Sequence, residues 1–401
     1  MERLRCGALS DLTILDLTRV LSGPFATAWL SDMGACVIKV ENPMEGDATR
    51  VSAPIVSGES AYFATVNRNK KTISINLKTA KGKELFLSLA RHADVVTENF
   101  RPGVMDKLGI GFEELSRVNP RIVLASISGY GSYGPYASRP GYDVVSQGMG
   151  GIMSLTGFPE DPPTKCGPSI GDVTAGMNLV IGVLAAVHYA RNTGKGQKVE
   201  VSLVDSVLAL CTQDYIEYGL TKKIPERLGN NYSLWCPYGT YSASNGYYQI
   251  GVGTERHFEL LCTEVLGMPE LLRDPRFQGQ LERVHNRRVL DEIMEKWANN
   301  RTVQEVVDKL NEVGIPSSPV YNFADIEADE NFTKHREMIK HMDHPVIGDL
   351  PYINMPVRFS QTSLVEPTPA GNIGQYNEEI FSQYLELTKE ELEELHHEKV
   401  I

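Results

Sequence analysis

Residues 12–41 read LTILDLTRVLSGPFATAWLSDMGACVIKVE, and this stretch decides the fold class. Residues 12–18 are dominated by apolar β-formers and predict a strand. Residues 23–35 carry apolar side chains at helical spacing and predict a helix that ends near Gly34. CVIKVE at 36–41 predicts a second strand. A strand, a helix and a strand in this order form a βαβ unit with two parallel strands.

The same alternation continues along the chain. Residues 79–93 predict an amphipathic helix opened by Thr79, and residues 94–100 predict a strand. Residues 111–119 predict a short helix, and residues 121–131 predict a further strand. The fold class is therefore α/β, with a parallel, doubly wound sheet that binds ligands at the carboxyl ends of its strands. The first loop, TRVLSGPF, lacks GxGxxG, and GxxxxGK[ST] is absent from the chain. Both absences argue against a dehydrogenase and a P-loop enzyme.

The second half of the chain predicts a smaller α+β domain. KVEVSL at 198–203 is a short strand within a mostly helical region, and the polar stretch 221–231 reads as a linker. Two aromatic-rich strands then flank Asn245-Gly246, a strong hairpin signal. Three helical patterns follow near 256–267, 286–299 and 302–313. The predicted boundaries are 1–220 for the first part of the large domain, 222–318 for the small domain and 319–401 for the return segment. In the return segment, residues 344–372 are rich in Pro and Gly and predict an extended segment.

Composition excludes several function classes. The chain has 401 residues, of which 42% are hydrophobic and 22% charged, as expected for an ordinary soluble protein of two or three compact units. A net charge of −12 without a basic run argues against a nucleic-acid partner, although a few local cations would still hold a small anion.

Targeting and metal signals are missing from the sequence. The N-terminus has no apolar core for a signal peptide, and the apolar run LVIGVLAAV is short of the roughly 20 residues that span a bilayer. The expectation is a cytoplasmic protein with no membrane partner. The six cysteines form no CxxC pair, which predicts reduced thiols and no metal site.

The stretch PSIGDVTAGM at 168–177 places Asp172 just before a long apolar helix. One interpretation is a helix N-cap, since Asp accepts hydrogen bonds from free helical N–H groups. The other is a nucleophile, a carboxylate held ionised by the positive helix end that attacks an acyl carbon. Gly171 and Gly176 would leave room for a substrate to approach the backbone. The stretch alone leaves both interpretations open.

Many ordered motifs carry a resemblance that favours the second interpretation. They include LDLTRVLSGPFAT, GACVIKVE, GDATR, NRNKKTISINLKTAKGKEL, ADVVTENFRPGVMDKLGIGFEEL, NPRIVLASISGYGSYGP, GYDVVSQGMGG, GDVTAG and TGKGQKVEVSLVDSVL. The sequence resembles the family III CoA-transferases, which include formyl-CoA:oxalate and crotonobetainyl-CoA:carnitine CoA-transferases. The resemblance is dense over residues 10–215 and looser through RVHNRRVL and VGIPSSPV. It implies a Rossmann-like large domain with an inserted small domain, in an interlocked, ring-like homodimer.

The resemblance also implies a reaction and a site. Asp172 would attack a donor acyl-CoA and carry CoA as an aspartyl thioester to a small carboxylic acid. Acyl-CoA is thus a substrate, and no permanently bound cofactor is expected. Contacts with CoA would fall on Val20, Leu21, Ser22, Asn42, Asn76, Lys78, Asn99, Phe100, Arg101, Met105, Lys107, Arg139 and Tyr142, with 139–142 near the thioester. For Lys78, Arg101 and Lys107 the alternative is a solvated surface.

Two further alternatives stay open. Related 2-methylacyl-CoA racemases have a histidine where Tyr142 stands, and a tyrosine with a pKa near 10 is a poor base at neutral pH. A non-catalytic acyl-CoA binding protein is the third possibility. Formyl-CoA:oxalate enzymes have a glutamine at the position of Leu21 and a glycine-rich loop that 225–260 lacks. These two departures argue against formyl-CoA as the donor. TRVLSGPFAT and RVHNRRVL resemble the branch that moves CoA between succinate-like dicarboxylates or from acetyl-CoA to oxalate, so a small dicarboxylate is the expected acceptor.

Overall fold

The computed structural model describes residues 7–401, so Cys6 and the start of the N-terminal stretch lie outside the described part. The chain divides into two compact units. The large unit comprises Met1–Ile152, Lys165–Ile216 and Thr333–Ile401, and the small unit comprises Met153–Thr164 and Glu217–Phe332.

The strands are short, with two to six residues each. They are β1 (Thr13–Asp16), β2 (Cys36–Glu41), β3 (Ile55–Val56), β4 (Glu59–Ser60), β5 (Lys71–Ser74), β6 (Val95–Glu98), β7 (Val123–Ser128), β8 (Lys198–Ser202), β9 (Tyr238–Ala243), β10 (Gly246–Gly251), β11 (Ser317–Pro319), β12 (Ile339–His344) and β13 (Gly348–Ile353).

The α-helices are α1 (Ser22–Asp32), α2 (Ala61–Val66), α3 (Ala80–Ala90), α4 (Val104–Leu108), α5 (Phe112–Val118), α6 (Asp143–Met149), α7 (Ile152–Leu155), α8 (Ile170–Thr193), α9 (Leu203–Leu210), α10 (Thr212–Thr221), α11 (Glu255–Leu260), α12 (Gln280–His285), α13 (Arg287–Ala298), α14 (Val303–Glu312), α15 (Phe323–Ala328), α16 (Asn377–Leu385) and α17 (Lys389–His397). Thr79 caps α3, as the sequence predicts.

A six-stranded parallel sheet forms the core of the large unit, in the order β5-β2-β1-β6-β7-β8. This confirms the α/β fold with a parallel sheet. The edge strand β5 is missing from the prediction, because the lysines that flank it hide its short apolar run. In chain order the strands read 3-2-1-4-5-6, so the order reverses between β1 and β6. Ligands bind at that switch point in open α/β sheets.

The sheet is covered on both faces. Alternate residues along its strands belong to two separate apolar clusters, as the two-residue period of a strand requires. Phe86 of α3 and Ile380 of α16 pack into one cluster, and Leu30 of α1 and Leu179 of α8 pack into the other. Burial on both faces explains why the strands read as nearly continuous apolar runs rather than alternating ones.

Helix α8 is longer than the nine-residue apolar run in the sequence suggests. Its 24 residues meet the length and composition of a membrane-spanning helix, which alone is weak evidence. Its buried residues, among them Leu179 and Val183, pack in the sheet cluster. That position is typical of a long core helix.

The small unit holds an antiparallel sheet in the order β11-β10-β9 against its own apolar cluster. The hairpin lies where the sequence predicts it, but the turn is one residue earlier. Ala243 pairs with Gly246, so Ser244 and Asn245 form the turn. The Asn245 side chain instead accepts a hydrogen bond from the Val303 backbone.

The unit boundaries differ from the predicted domains at three places, one of which is the boundary at Ile216 and Glu217 rather than at 220 and 222. Residues 153–164 belong to the small unit, because Arg227 donates hydrogen bonds to the carbonyls of Phe158, Pro159 and Asp161. The chain returns to the large unit at Thr333 rather than at 319. Within 344–372, β13 pairs with β12, and Thr368 exchanges hydrogen bonds with Asn69.

Candidate active site

A cleft of about 260 Å³ opens at the switch point of the parallel sheet. The loops after β1, β6 and β7 form its walls, as the topology requires of a ligand site. Nine of the predicted site residues line it: Val20, Leu21, Ser22, Asn99, Phe100, Arg101, Arg139, Tyr142 and Asp172. The fold thus brings together residues as far apart in the sequence as Val20 and Asp172.

Asp172 lies in the first turn of α8, and its carboxyl group does not cap that helix. The N-cap residue is Ser169, which makes no side-chain capping bond. The capping role belongs to Asp143 of α6, whose Oδ1 accepts the Gly171 N–H at 2.8 Å and the Asp172 N–H at 3.4 Å. Gln147 donates to the other Asp143 oxygen at 2.7 Å. The Asp172 carboxyl group is therefore free to face the cleft.

The surroundings of Asp172 raise its pKa to about 6. Burial is the largest cause, and the nearby Asp143 carboxylate adds to it, while a hydrogen bond from the Ser22 side chain acts in the opposite direction. Desolvation outweighs the favourable effect of that hydrogen bond. At pH 7 roughly nine-tenths of the group is still ionised, which a nucleophile needs.

The two glycines beside Asp172 serve packing rather than substrate access. A Cβ on Gly176 would lie 2.8 Å from the Phe25 ring and 2.8 Å from the Ser22 carbonyl oxygen. A Cβ on Gly171 would lie 2.3 Å from the Ser146 hydroxyl. Both positions admit only glycine because α1 and α6 approach α8 closely there. The expectation that they leave room for a substrate is wrong.

The family model of CoA-transferase family III matches residues 9–377 of this chain. The chain belongs to CoA-transferase family III. The enzyme is 40% identical to acetyl-CoA:oxalate CoA-transferase from Acetobacter aceti, over 80% of this chain and 82% of that protein. It is 36% identical to succinyl-CoA–D-citramalate CoA-transferase from Chloroflexus aurantiacus, over 98% of both chains.

Solved structures show the same fold. A CAIB/BAIF family protein from Brucella suis superposes with a TM-score of 0.82 at 37% identity, covering 94% of this transferase and 100% of that chain. The Rv3272 protein of Mycobacterium tuberculosis superposes with a TM-score of 0.83 at 29% identity, covering 93% and 99%. The resemblance found in the sequence is thereby confirmed, and the transferase uses CoA thioesters as substrates.

Five predicted contacts of the transferase are not among the residues of the cleft. The side chains of Asn42 and Asn76 accept hydrogen bonds from backbone N–H groups two or three residues later. Lys78 and Lys107 are exposed to solvent. A fifth residue, Met105, lines an adjoining cavity of about 80 Å³. That cavity shares Phe100 and Arg101 with the cleft.

Three guanidinium groups, of Arg19, Arg101 and Arg139, line the cleft of this otherwise acidic protein. Arg139 stacks on the Tyr136 ring at 4.0 Å, and Arg19 lies 5.4 Å from the centre of the Phe100 ring. Stacking orders an arginine while its N–H donors stay available for anions. Arg19 is missing from the predicted contacts, although it belongs to the same loop as Val20.

Two tyrosines lie near the nucleophile candidate. Tyr142 lines the cleft and is 71% exposed, and no histidine is among the cleft residues in the described part of the chain. The sequence analysis missed Tyr62 of α2. Its pKa is raised to about 12 by burial, by the Asp172 carboxylate and by Asp47. Its hydroxyl therefore stays a hydrogen-bond donor close to Asp172. No short motif distinguishes it, since only the fold brings α2 to this place.

Metal ligation has no support in residues 7–401, where no group of three or more His, Cys, Asp or Glu side chains converges.

Proposed function

We propose that this transferase moves CoA from an acyl-CoA donor to a small dicarboxylic acid, with Asp172 as the covalent nucleophile. The free Asp172 carboxyl group in the cleft, with the helix cap supplied by Asp143, carries the proposal. A residue that only capped the helix would have its oxygens on the helical N–H groups instead.

The steps balance without an external proton. An Asp172 oxygen attacks the thioester carbon, the carbon–sulfur bond breaks, and CoA leaves as a thiolate. The thiolate attacks the aspartyl carbon of the mixed anhydride, which releases the donor acid and leaves an aspartyl thioester. The acceptor carboxylate then displaces the thiolate to give a second anhydride. The thiolate attacks the acceptor acyl carbon of that anhydride, which yields the new thioester and frees Asp172.

The cleft supplies the groups that these steps need. Each attack places negative charge on a carbonyl oxygen, which positioned N–H and O–H donors stabilise. Ser22 lines the cleft with Asp172. Tyr62, outside the cleft lining, keeps its hydroxyl proton because burial and the Asp172 carboxylate raise its pKa to about 12. Both anhydrides react with water, so the reaction also needs a dry site.

The arginines of the cleft and the substrates named for the relatives both support a dicarboxylate acceptor. Relatives at 34–40% identity are named as transferases for oxalate, D-citramalate, mesaconate and glutarate. A second carboxylate on the acceptor would find arginine donors in the cleft. Leu21 lines the same cleft and offers no hydrogen bond, which disfavours formyl-CoA as the donor.

A homodimer is also part of the proposal. Apolar side chains on α6, α8 and α9 face solvent together, including Val144, Met177, Leu208 and Ile181, which is 66% exposed. These helices pack against one another within the large unit. An apolar face of this kind marks an interface, and a second copy interlocked with the first is the proposed occupant. Sedimentation of mostly monomer at micromolar concentration would contradict it.

We place the enzyme in the cytoplasm. The five described cysteines are free thiols, which suits a reducing compartment. Cell fractionation tests the assignment.

Mass spectrometry tests the nucleophile most directly. After incubation with acetyl-CoA or succinyl-CoA, the Asp172 peptide should carry a CoA adduct in thioester linkage, which hydroxylamine removes. A variant with Asp172→Asn should carry no adduct. An adduct on another residue, or turnover by the variant at the wild-type rate, would reject the proposal. Acceptor acids of increasing length, assayed with each donor, then define the substrate.

A further inference from the structure

Four charged side chains lie buried beneath the loop after β1, and the reaction described above does not use them. Asp16, Lys39, Asp47 and Lys70, here called the buried quartet, are each at most 2% exposed. Burying ionised groups costs several kcal/mol each unless each is paired and hydrogen-bonded, and apolar residues would often serve stability as well. The contacts of the quartet show what else it holds.

The pair Asp16 and Lys70 fixes both ends of the loop. Lys70 Nζ lies 3.0 Å from Asp16 Oδ2 and donates to the Pro24 carbonyl at 3.0 Å and to Asn67 Oδ1 at 2.9 Å. Asp16 Oδ1 accepts the Thr18 N–H at 2.9 Å. One ion pair therefore contacts the loop at both ends, where the chain leaves β1 and where it enters α1.

The pair Lys39 and Asp47 fixes the middle of the loop. Lys39 Nζ donates to the Thr18 carbonyl at 2.8 Å and to Asp47 Oδ2 at 3.0 Å. The other oxygen of Asp47 accepts the Val20 N–H at 3.4 Å. Two side chains from the β2 region thus hold the Thr18 carbonyl and the Val20 N–H, the backbone groups on either side of Arg19.

Asn99, after β6, completes the set. Its side chain accepts the Arg19 N–H at 2.8 Å and donates to the Arg19 carbonyl at 2.7 Å. Every backbone polar group from the Thr18 N–H to the Val20 N–H is consequently bound by a side chain. Val20 itself has a φ of +69°, a conformation that costs a β-branched residue energy and persists only where the surroundings impose it.

We propose that the buried quartet positions the nucleophile: it imposes the left-handed backbone at Val20, and so holds the Ser22 hydroxyl against the Asp172 carboxyl group. Ser22 follows Val20 by two residues, is buried, and lines the cleft together with Asp172. The quartet residues are positioning residues, because none of them is among the residues that line the cleft. The inference rests on the proposed role of Asp172.

The pKa of the Asp172 carboxyl group should depend on this positioning and can be used to measure it. The carboxyl group interacts with Ser22 of α1, Asp143 of α6 and Tyr62 of α2, and Arg19, Arg101 and Arg139 line the same cleft. The Ser22 hydrogen bond lowers the pKa of Asp172. Loosening the loop should break that bond and raise the pKa further, by about 0.4 to 1 pH unit, the range that one hydrogen bond supplies.

The test measures the protonation of Asp172 without turnover. Asp172 is labelled with a carbodiimide and an amine across pH 4–8 in the full-length enzyme, and its peptide is quantified by mass spectrometry. Asp47→Asn, Ser22→Ala and the double variant form a cycle. We expect upward shifts of the labelling midpoint in both single variants and no further shift in the double variant. Asn99→Ala should also loosen the loop, and it does so at a residue that is partly exposed.

A matched control separates positioning from stability. Asp32 and Arg68 form another buried ion pair, at the opposite end of α1 from the loop. Asp32→Asn should lower the melting temperature and leave the Asp172 midpoint unchanged. An unchanged midpoint in folded Asp47→Asn and Asn99→Ala, or in Asn99→Ala alone if Asp47→Asn does not fold, overturns the proposal. Labelling does not need catalysis, so a failure of the proposed function is seen separately, in the CoA adduct.

Discussion

The loops after β1 and β6 and the loops after β2 and β5 lie at the same edge of one parallel sheet, yet they use their polar side chains differently. On the β1 and β6 side, Ser22 and Arg101 line the cleft. On the β2 and β5 side, Asn42 and Asn76 bond to the backbone of their own turns. The strand order explains the difference, because only β1 and β6 flank the switch point.

The largest expected effect is the loss of kcat at Asp172, which should not occur at the neighbouring carboxylate of Asp143. Asp172→Ala should lower kcat by at least about 10³-fold, because no other group can form the acyl intermediate. Asp143→Ala should mainly reduce stability, by about 1 kcal/mol, since Asp143 caps α8. Steady-state kinetics and thermal unfolding of both variants check this prediction. Equal losses of kcat in the two variants would contradict the separate roles.

A cation inside the cleft and a cation outside it should differ next. Arg139→Ala should weaken catalysis with acyl-CoA, expressed as kcat/KM, by about 10–100-fold, because a charge-assisted hydrogen bond in the cleft is lost. Lys107→Ala serves as the matched control, since Lys107 is exposed and lies outside the cleft. At most it should change KM for the CoA ester. A larger effect at Lys107 would mean that the nucleotide part of CoA binds there.

The pH dependence follows from the environment of Asp172. Its pKa is raised to about 6, so the reactive carboxylate is present above that pH and disappears below it. We therefore expect kcat/KM to fall on the acid side with an apparent pKa near 6. Ser22→Ala should move this limb to higher pH, since the Ser22 bond lowers the pKa. A limb near pH 4 would place Asp172 in a more solvated environment.

The sequence predicts elements better than the contacts between them. β2 is predicted at the residues where it lies, because its apolar run is bounded by a glycine-containing turn and a polar turn. The short strand β5 and the neighbour Tyr62 are not predicted, since tertiary packing rather than local pattern defines them. The capping role of Asp143 is equally hidden, because it is 29 residues from the helix end that it serves.

The smallest effects are expected on the β2 and β5 side, where asparagines stabilise local turns. The side-chain oxygen of Asn76 accepts the Lys78 N–H at 3.2 Å, and its N–H group donates to the Lys399 carbonyl at 3.4 Å. Asn76→Ala should therefore cost about 1 kcal/mol of unfolding free energy and leave kcat unchanged. Asn99→Ala removes as many hydrogen bonds, but from the loop that carries Ser22, and should lower kcat. Denaturant unfolding and initial rates of both variants measure the contrast. If Asn76→Ala lowered kcat as much as Asn99→Ala, catalysis would depend on the whole sheet edge rather than on the two loops at the switch point.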